Sequence, residues 1–252
     1  MIPPSFQFRP NTCDENVFRS VVLNNEYRLP DRFGPSDLIL DIGGHIGSFV
    51  HACEMRGAGT IVTFEPDLEN FRRLCENLRL DFRGEPLAGV ETWGRRDEKV
   101  SIVACRGAVT DHAGTVRFTG PLYDAEAGEV NTGGGTVSEE GGLEVPAVDF
   151  MALVFEILNH FRPVNSKIAL LKLDCEGGEW AILHQMFMGA RSDAILSLCG
   201  EYHGGDGAKG QRDDIHIYLS GDHNGTGGYR EITTRELRPG LGLFWAGDGS
   251  FR

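Results

Sequence analysis

The stretch "DIGGHIG", residues 41–47, places Gly43, Gly44 and Gly47 between an apolar run and a helical pattern, and Glu65 closes the next apolar run about 18 positions further on. A residue without a Cβ lets backbone come close to a ligand, and an acid at the end of a second strand can accept hydrogen bonds from both hydroxyls of a ribose. Glycines alone would also serve a tight turn; the acid at this spacing turns the reading toward a nucleoside, and a bound adenosine is the natural inference. Asp41 ends the first strand beside the loop, which suits the ammonium group of an amino acid and is awkward for a pyrophosphate. "GGHIG" is not the dinucleotide pattern GxGxxG, and no lysine follows the last glycine as a P-loop requires.

A second group of reactive residues stands at two other strand ends. Asp174, Glu176 and Glu179 follow "LLKL", while Glu201 and His203 follow "ILSLCG". An imidazole titrates near working pH and ionised carboxylates usually do not, which makes His203 the first choice for a general base. Glu176 and Glu179 also open a helix, where the helix dipole stabilises acids without any catalytic part, and for Glu179 that reading is preferred. His203, next to "GGDG", equally fits an ordinary loop histidine. A divalent ion on Asp174, Glu176, Glu201 and His203 is chemically conceivable, but spacing fixes no geometry and no metal is assigned.

These groups need a scaffold that brings strand ends together. "LILDI" is a continuous apolar run of the kind covered on both faces, and Ile46, Phe49, Val50 and Cys53 then recur at helical spacing. "TIVTFE" reads as a second strand, followed through Pro66 and Asp67 by a helix with Leu68, Phe71, Cys75 and Leu78 on one face. Strand, helix, strand, helix implies right-handed crossovers and a parallel sheet. "VSIVAC" and "GAVTD" are the next strand candidates, with "TVRF" continuing as a local hairpin past Gly114. "DFMALVFEILNHF" and the segment around Trp180, Leu183, His184 and Phe187 read as helices, "KIALLKLDC" and "AILSLCGEYH" as strands. "DDIHIYLSG" leans to helix, and "YREITT" and "LGLFWAG" are closing strands. Residues 120–142 are glycine-rich, acidic and nearly free of apolar side chains, so they are expected to form a mobile loop that supplies no core. With residues 204–210 they could close over the site as a lid or lie as solvated surface loops.

A chain of 252 residues with 40% hydrophobic content is expected to fold as one domain, 1–252, with an N-terminal helical or cap segment over 1–36 and an α/β core over 37–252. A formal charge of −13 argues against nucleic acid as a partner. Six dispersed cysteines without a CxxC pair suggest thiols in a reducing compartment, and no signal-peptide core or bilayer-length apolar run is visible. A cytoplasmic protein without membrane insertion is expected; the sequence sets no oligomeric state.

"DIGGHIGSF", "VTFEPDLENF" and "LLKLDCEGGEWAIL", with "RPNTCDENVFRSVVLNNEY" upstream, resemble the FkbM family of S-adenosylmethionine-dependent methyltransferases. The likeness spans roughly residues 9–245, with clear motifs only to about residue 203, and "LKLDCEGGEW" is its most specific motif. The resemblance implies a Rossmann-like class I methyltransferase fold: a seven-stranded, mostly parallel sheet with helices on both faces and an antiparallel final strand. It also implies S-adenosyl-L-methionine as cofactor. Asp41, Gly43, Gly44 and Gly47 would surround its methionine part, Glu65 would hold the ribose, Pro66 and Asp67 would turn the chain under the adenosine, and Ala108, with Val109, would flank adenine. His45 stands where the family often has Asn, as a loop-bracing imidazole or a cofactor contact.

In the assumed strand order, Asp174, Glu176, Glu201 and His203 would meet over the methyl group, with Asp174 beside the sulfonium and Glu176 orienting the acceptor. The family's usual chemistry implies a hydroxyl acceptor on a glycan, glycolipid or secondary metabolite. Two alternatives stand beside this reading: a non-catalytic cofactor-binding module, and an NAD-dependent oxidoreductase, which the loop and the lack of a Tyr-x-x-x-Lys pair disfavour.

Overall fold

The computed structural model describes residues 3, 5–97, 99–124, 128–138, 142–161, 167–188, 194–204, 211–220, 229–238 and 240–247. In chain order the elements begin with α1 (Asp14–Phe18) and a π-helical turn (Arg19–Leu23). There follow β1 (Leu38–Ile42), α2 (Ser48–Met55), β2 (Thr60–Phe64), α3 (Leu68–Leu78), β3 (Asp81–Phe82), β4 (Thr92–Arg96) and β5 (Ser101–Cys105). Next come β6 (Ala108–Thr110), β7 (Gly114–Thr119), β8 (Leu122–Asp124), β9 (Glu129–Asn131), β10 (Thr136–Ser138) and β11 (Leu143–Asp149). The chain continues with α4 (Phe150–Phe161), β12 (Leu170–Leu173), α5 (Glu179–Met188), β13 (Ser197–His203), α6 (Gln211–Ser220), β14 (Glu231–Arg238) and β15 (Leu241–Gly247).

Among the described residues the main sheet has nine strands in the order β14-β15-β13-β12-β1-β2-β5-β4-β3. β5, β2, β1, β12 and β13 are parallel, and β15 runs antiparallel between β13 and β14. The sheet has nine strands where seven were expected, because β4 and β3 extend it antiparallel beyond β5. That extension was not foreseen because "TWGRR" of β4 is polar and the edge strand β3 is two exposed residues long.

The parallel strands read clearly in the sequence because both faces are covered. Leu38, Leu40 and Ile42 of β1 pack with Leu153, Ile157, Ile182 and Ile215 of α4, α5 and α6, while Ile39 packs with Phe49, Val50, Phe71 and Leu74 of α2 and α3. One-residue alternation along a single strand thus serves two cores. No helix among the described residues is long and apolar enough to cross a membrane.

Two expectations change between β5 and α4. "TVRF" does not hairpin onto "GAVTD": β7 lies between β10 and β11, and β6 pairs in parallel with β11. The non-local partner wins because Phe118 of β7 and Val145 of β11 join Ala108 of β6 in a small apolar cluster. The second change concerns 120–142, which carries β8, β9 and β10, although 125–127 and 139–141 lie outside the described residues. Its core contribution is polar: Thr132 is 3% exposed. The suggested lid at 204–210 also lies outside the described residues beyond Gly204.

Candidate active site

The carboxyl ends of β1, β2, β12 and β13 open onto one cavity of about 360 Å³, roofed by the N-terminal segment and by residues 131–137. Its walls include Gly43, His45, Glu65, Pro66, Ala108 and Val109 on one side and Asp174, Glu176, Glu201 and His203 on the other. Two sets of residues that are far apart in sequence therefore share one space, as the parallel order requires. Asp41, Gly44, Gly47 and Asp67 stand behind these walls.

The glycine loop is shaped chiefly by the protein itself. Gly43 N and Gly44 N both donate to the carbonyl of Phe64, at 3.0 and 2.8 Å, pinning the loop to the end of β2. Gly43 lies at φ +91°, and a Cβ there would overlap the Asp174 carbonyl; one at Gly44 would strike Thr63 Oγ1. Gly47, also at φ +91°, is the N-cap of α2 and faces Leu78. The loop's close approach to neighbouring strands explains the glycines before any ligand is considered.

Asp41 likewise turns inward, correcting the expectation that it stands free for an ammonium group. Asp41 and Lys172 are register partners on β1 and β12, and Lys172 Nζ sits 3.3 Å from Asp41 Oδ1 and 3.5 Å from Asp174 Oδ2. Thr63 Oγ1 donates to Asp41 Oδ2 at 2.8 Å. Burial raises the Asp41 pKa against the pull of Lys172 and Thr63. Burial also works against the Lys172 charge, but Asp41 and Asp174 outweigh it and push that pKa up. Asp174 is partly buried, which works against its charge, yet Lys172, His203 and the Tyr27 hydroxyl, which donates to Oδ2 at 2.8 Å, hold its pKa down.

Glu65 is 4% exposed. It accepts from His45 N at 2.7 Å through Oε2 and from Asp67 N at 2.9 Å through Oε1. Burial outweighs these bonds and raises its pKa to about 8. Asp67 caps α3 by accepting from Glu69 N and Asn70 N, at 3.0 and 2.8 Å, so its part is to start the helix that carries Asn70. His45, at φ +48°, braces the roof: its Nε2 meets Thr132 Oγ1 at 2.8 Å.

At the opposite end of the cavity, His203 Nδ1 lies 3.1 Å from Glu179 Oε1, and Nε2 lies 3.4 Å from both Glu176 Oε2 and Glu201 Oε2. Glu179 is fully buried and also accepts from Cys175 N at 2.7 Å and Gly177 N at 2.8 Å. It therefore ties the "DCEGG" turn to the imidazole, a fuller part than a helix-dipole acid. Burial disfavours the charged His203 ring, but its bonds to Glu179 and Glu201 and the nearby charges raise the pKa to about 11. This overturns the ground for choosing His203 as base, a pKa near neutrality. Burial raises Glu176 to about 7, with His203 pulling the other way, and raises Glu201 as well.

Several wall residues were not foreseen. Asn16, Ser20, Glu26 and Tyr27 come from the N-terminal segment, and Asn131 and Gly133 from the roof. Burial, reinforced by Glu201 and Asp174, raises Glu26 to about 7. Behind the roof, Arg9 grips Asp14 at 2.8 and 2.7 Å, and Thr132 Oγ1 donates to the same carboxylate at 2.7 Å. Lys172 was the one available signal, because a lysine inside the apolar run "LLKL" must find buried acids.

The residues fit an adenosyl amino acid: a buried acid and an apolar wall at one end, and an excess of carboxylates for positive charge at the other. A family model described as the methyltransferase FkbM domain matches residues 41–227. A search of curated proteins finds no match. Among solved structures, precorrin 8W decarboxylase of Methanobacterium thermoautotrophicum is 12% identical, with 98% of this chain and 96% of that chain covered and a TM-score of 0.42. PH1948 of Pyrococcus horikoshii, provisionally named an RNA methyltransferase, is 11% identical over 96% and 86%, with a TM-score of 0.40. The N-terminal domain of human METTL16, in complex with SAH, is 9% identical over 98% and 72%, with a TM-score of 0.36. At these scores the three structures add nothing to the family match.

Proposed function

We propose that this chain, which belongs to the FkbM methyltransferase family, moves a methyl group onto a hydroxyl of a sugar, glycolipid or secondary-metabolite scaffold. It is an S-adenosylmethionine-dependent methyltransferase. The sulfonium of the cofactor supplies an already activated methyl group, so the protein's work is to align an acceptor oxygen and take its proton. Alignment can contribute up to about 7 to 11 kcal/mol, and a placed proton acceptor about 100-fold to 10,000-fold.

One observation carries the proposal: Asp174, Glu176, Glu201 and His203 share a cavity with Gly43, Glu65 and Ala108. In this reading Glu65 accepts from the ribose hydroxyls, Pro66, Ala108 and Val109 flank the base, and Gly43, His45 and Asp174 border the methionine part. Asp41, Gly44, Gly47 and Asp67 act behind the wall by fixing Lys172, the loop and α3. The carboxylate and imidazole cluster at the far end receives the acceptor and its proton, while the roof keeps water out. The cavity's acidic wall and the formal charge of −13 disfavour a polyanionic acceptor. A methyl-transfer assay against neutral sugars, glycolipids and aglycones, with RNA as a comparison, tests the acceptor class. Transfer to RNA alone, or to none of these, would overturn it.

A further inference from the structure

Resting on that methyl-transfer reading, we propose that Glu26 is the catalytic residue that takes the proton from the acceptor hydroxyl. It lines the cavity from the N-terminal segment and is half-buried there. Among the described residues its carboxylate makes no hydrogen bond and no ion pair. The other acids at that end are engaged. Asp174 is held by the Tyr27 hydroxyl at 2.8 Å and by Lys172 Nζ at 3.5 Å, while Glu176 and Glu201 both face His203 Nε2 at 3.4 Å. A charged imidazole stabilises the ionised forms of both neighbours and makes each a poorer proton acceptor.

The chain around Glu26 is built to hold one side chain in place. Asn25 and Arg28 both lie at φ +51°, and Arg28 N donates to the Asn25 carbonyl at 2.8 Å. The Asn25 side chain closes this turn in both directions, accepting from Leu29 N and donating to the Leu29 carbonyl at 2.9 Å each. Such local bonds are what let asparagine support a left-handed backbone. Glu26 N donates to the Ser20 carbonyl at 3.1 Å. Next along the chain, buried Tyr27 reaches Asp174 at the end of β12, and the Arg28 guanidinium lies 3.7 Å over the Trp245 ring of β15. The turn that carries Glu26 is thus anchored to two strands of the main sheet, and a reacting group needs support of this kind.

The groups facing Glu26 suit it to the task. Glu201 on β13 and Asp174 after β12 oppose its ionisation, as burial does, while Lys172 on β12 and Arg235 on β14 favour it. Its pKa rises to about 7, and Tyr27 beside it is held neutral. Such a carboxylate is a stronger base than an ordinary glutamate and is still substantially ionised at neutral pH. As the oxygen–methyl bond forms, the hydroxyl proton passes to the Glu26 carboxylate, and the sulfur–methyl bond breaks with its electron pair left on sulfur. The positive charge on sulfur and the negative charge on Glu26 disappear together, so the cavity's net charge does not change.

Methyl transfer to an acceptor from the panel of neutral sugars, glycolipids and aglycones, measured with Glu26→Gln and Glu26→Asp, tests the assignment. Glu26→Gln should lower kcat about 100-fold or more and leave S-adenosylhomocysteine affinity within about twofold of wild type; Glu26→Asp should recover part of the loss. Wild-type kcat/KM should rise with pH through the neutral range, because the base must be ionised. That limb should vanish in Glu26→Gln and persist in Glu176→Gln. Thermal melting identifies a Glu26→Gln chain that fails to fold, and Glu26→Asp is then read in its place, with a displaced limb expected. A Glu26→Gln kcat within about threefold of wild type, a loss confined to the acceptor KM, or an undisplaced limb in Glu26→Asp overturns the proposal alone. Wild-type protein that methylates nothing in the panel overturns the methyl-transfer reading, and the proposal with it.

Discussion

Thr132 Oγ1 donates a hydrogen bond to Asp14 Oδ1 at 2.7 Å, joining the roof of the cavity to the N-terminal segment across 118 positions of sequence. Arg9 holds the same carboxylate, and His45 Nε2 reaches the same threonine. The glycine loop, the roof and the N-terminal segment are therefore one polar unit. Asp14→Ala leaves Arg9 and Thr132 without their acceptor and should lower stability by about 3 kcal/mol. Chemical denaturation checks this, and cofactor affinity should fall with it.

The same carboxylate gives the fold an acid limit. Burial works against its ionisation, but His45, Arg9 and Thr132 hold its pKa well below the usual range. Its contribution to stability is complete above the unfolded-state value, about 3.9. It is lost as pH falls through and below that value. Melting temperature should drop between about pH 4 and pH 2 in wild type and much less steeply in Asp14→Asn.

Glu65 has the opposite sign. Its pKa in the folded chain is raised to about 8, so in the free protein the carboxyl is mostly protonated at neutral pH. That favours folding at low pH, and the advantage is lost as pH rises from about 4.3 through 8. Ribose hydroxyls favour the ionised acceptor. Affinity for S-adenosylhomocysteine should rise toward pH 8 and level off above it, with proton release on binding at neutral pH. Calorimetry in buffers of different ionisation enthalpy measures both.

Gly43 has no room for a side chain, since a Cβ would overlap the Asp174 carbonyl at a backbone angle that already favours glycine. Gly43→Ala should force β1 and β12 apart at the cavity floor and cost about 1 to 3 kcal/mol. Melting and cofactor affinity should decline together.

His203→Ala releases Glu176, Glu179 and Glu201 from their shared partner and should reduce turnover by about 100-fold through misplacement while changing cofactor affinity little. His203 stands among acids at the proposed acceptor end of the cavity, whereas Glu65 lines the proposed nucleoside end. Equal losses in turnover and cofactor affinity would place His203 at the cofactor instead.

The parallel strands were legible because "LILDI", "TIVTFE" and "KIALLKL" are buried on both faces and carry continuous apolar runs. The convergence of Asp174, Glu176, Glu201 and His203 followed from strand order alone. What escaped depends on distant partners. Thr132 is an ordinary threonine in a polar segment until Asp14, His45 and Asn70 surround it. Glu26 and Tyr27 gain meaning only when the N-terminal segment folds over the sheet edge. Asp41 was legible as an acid at a strand end, but its inward turn depends on its register with Lys172.

The central claim is that an adenosyl group occupies the cavity with its ribose on Glu65 and its sulfur toward Asp174 and Glu176. A crystal structure of the chain soaked in S-adenosylhomocysteine tests this most directly. Ribose oxygens within hydrogen-bond reach of Glu65 and the sulfur facing the acid and imidazole cluster are the expected result. A nucleoside bound elsewhere, or a saturating soak that leaves the cavity free of it, would contradict the account.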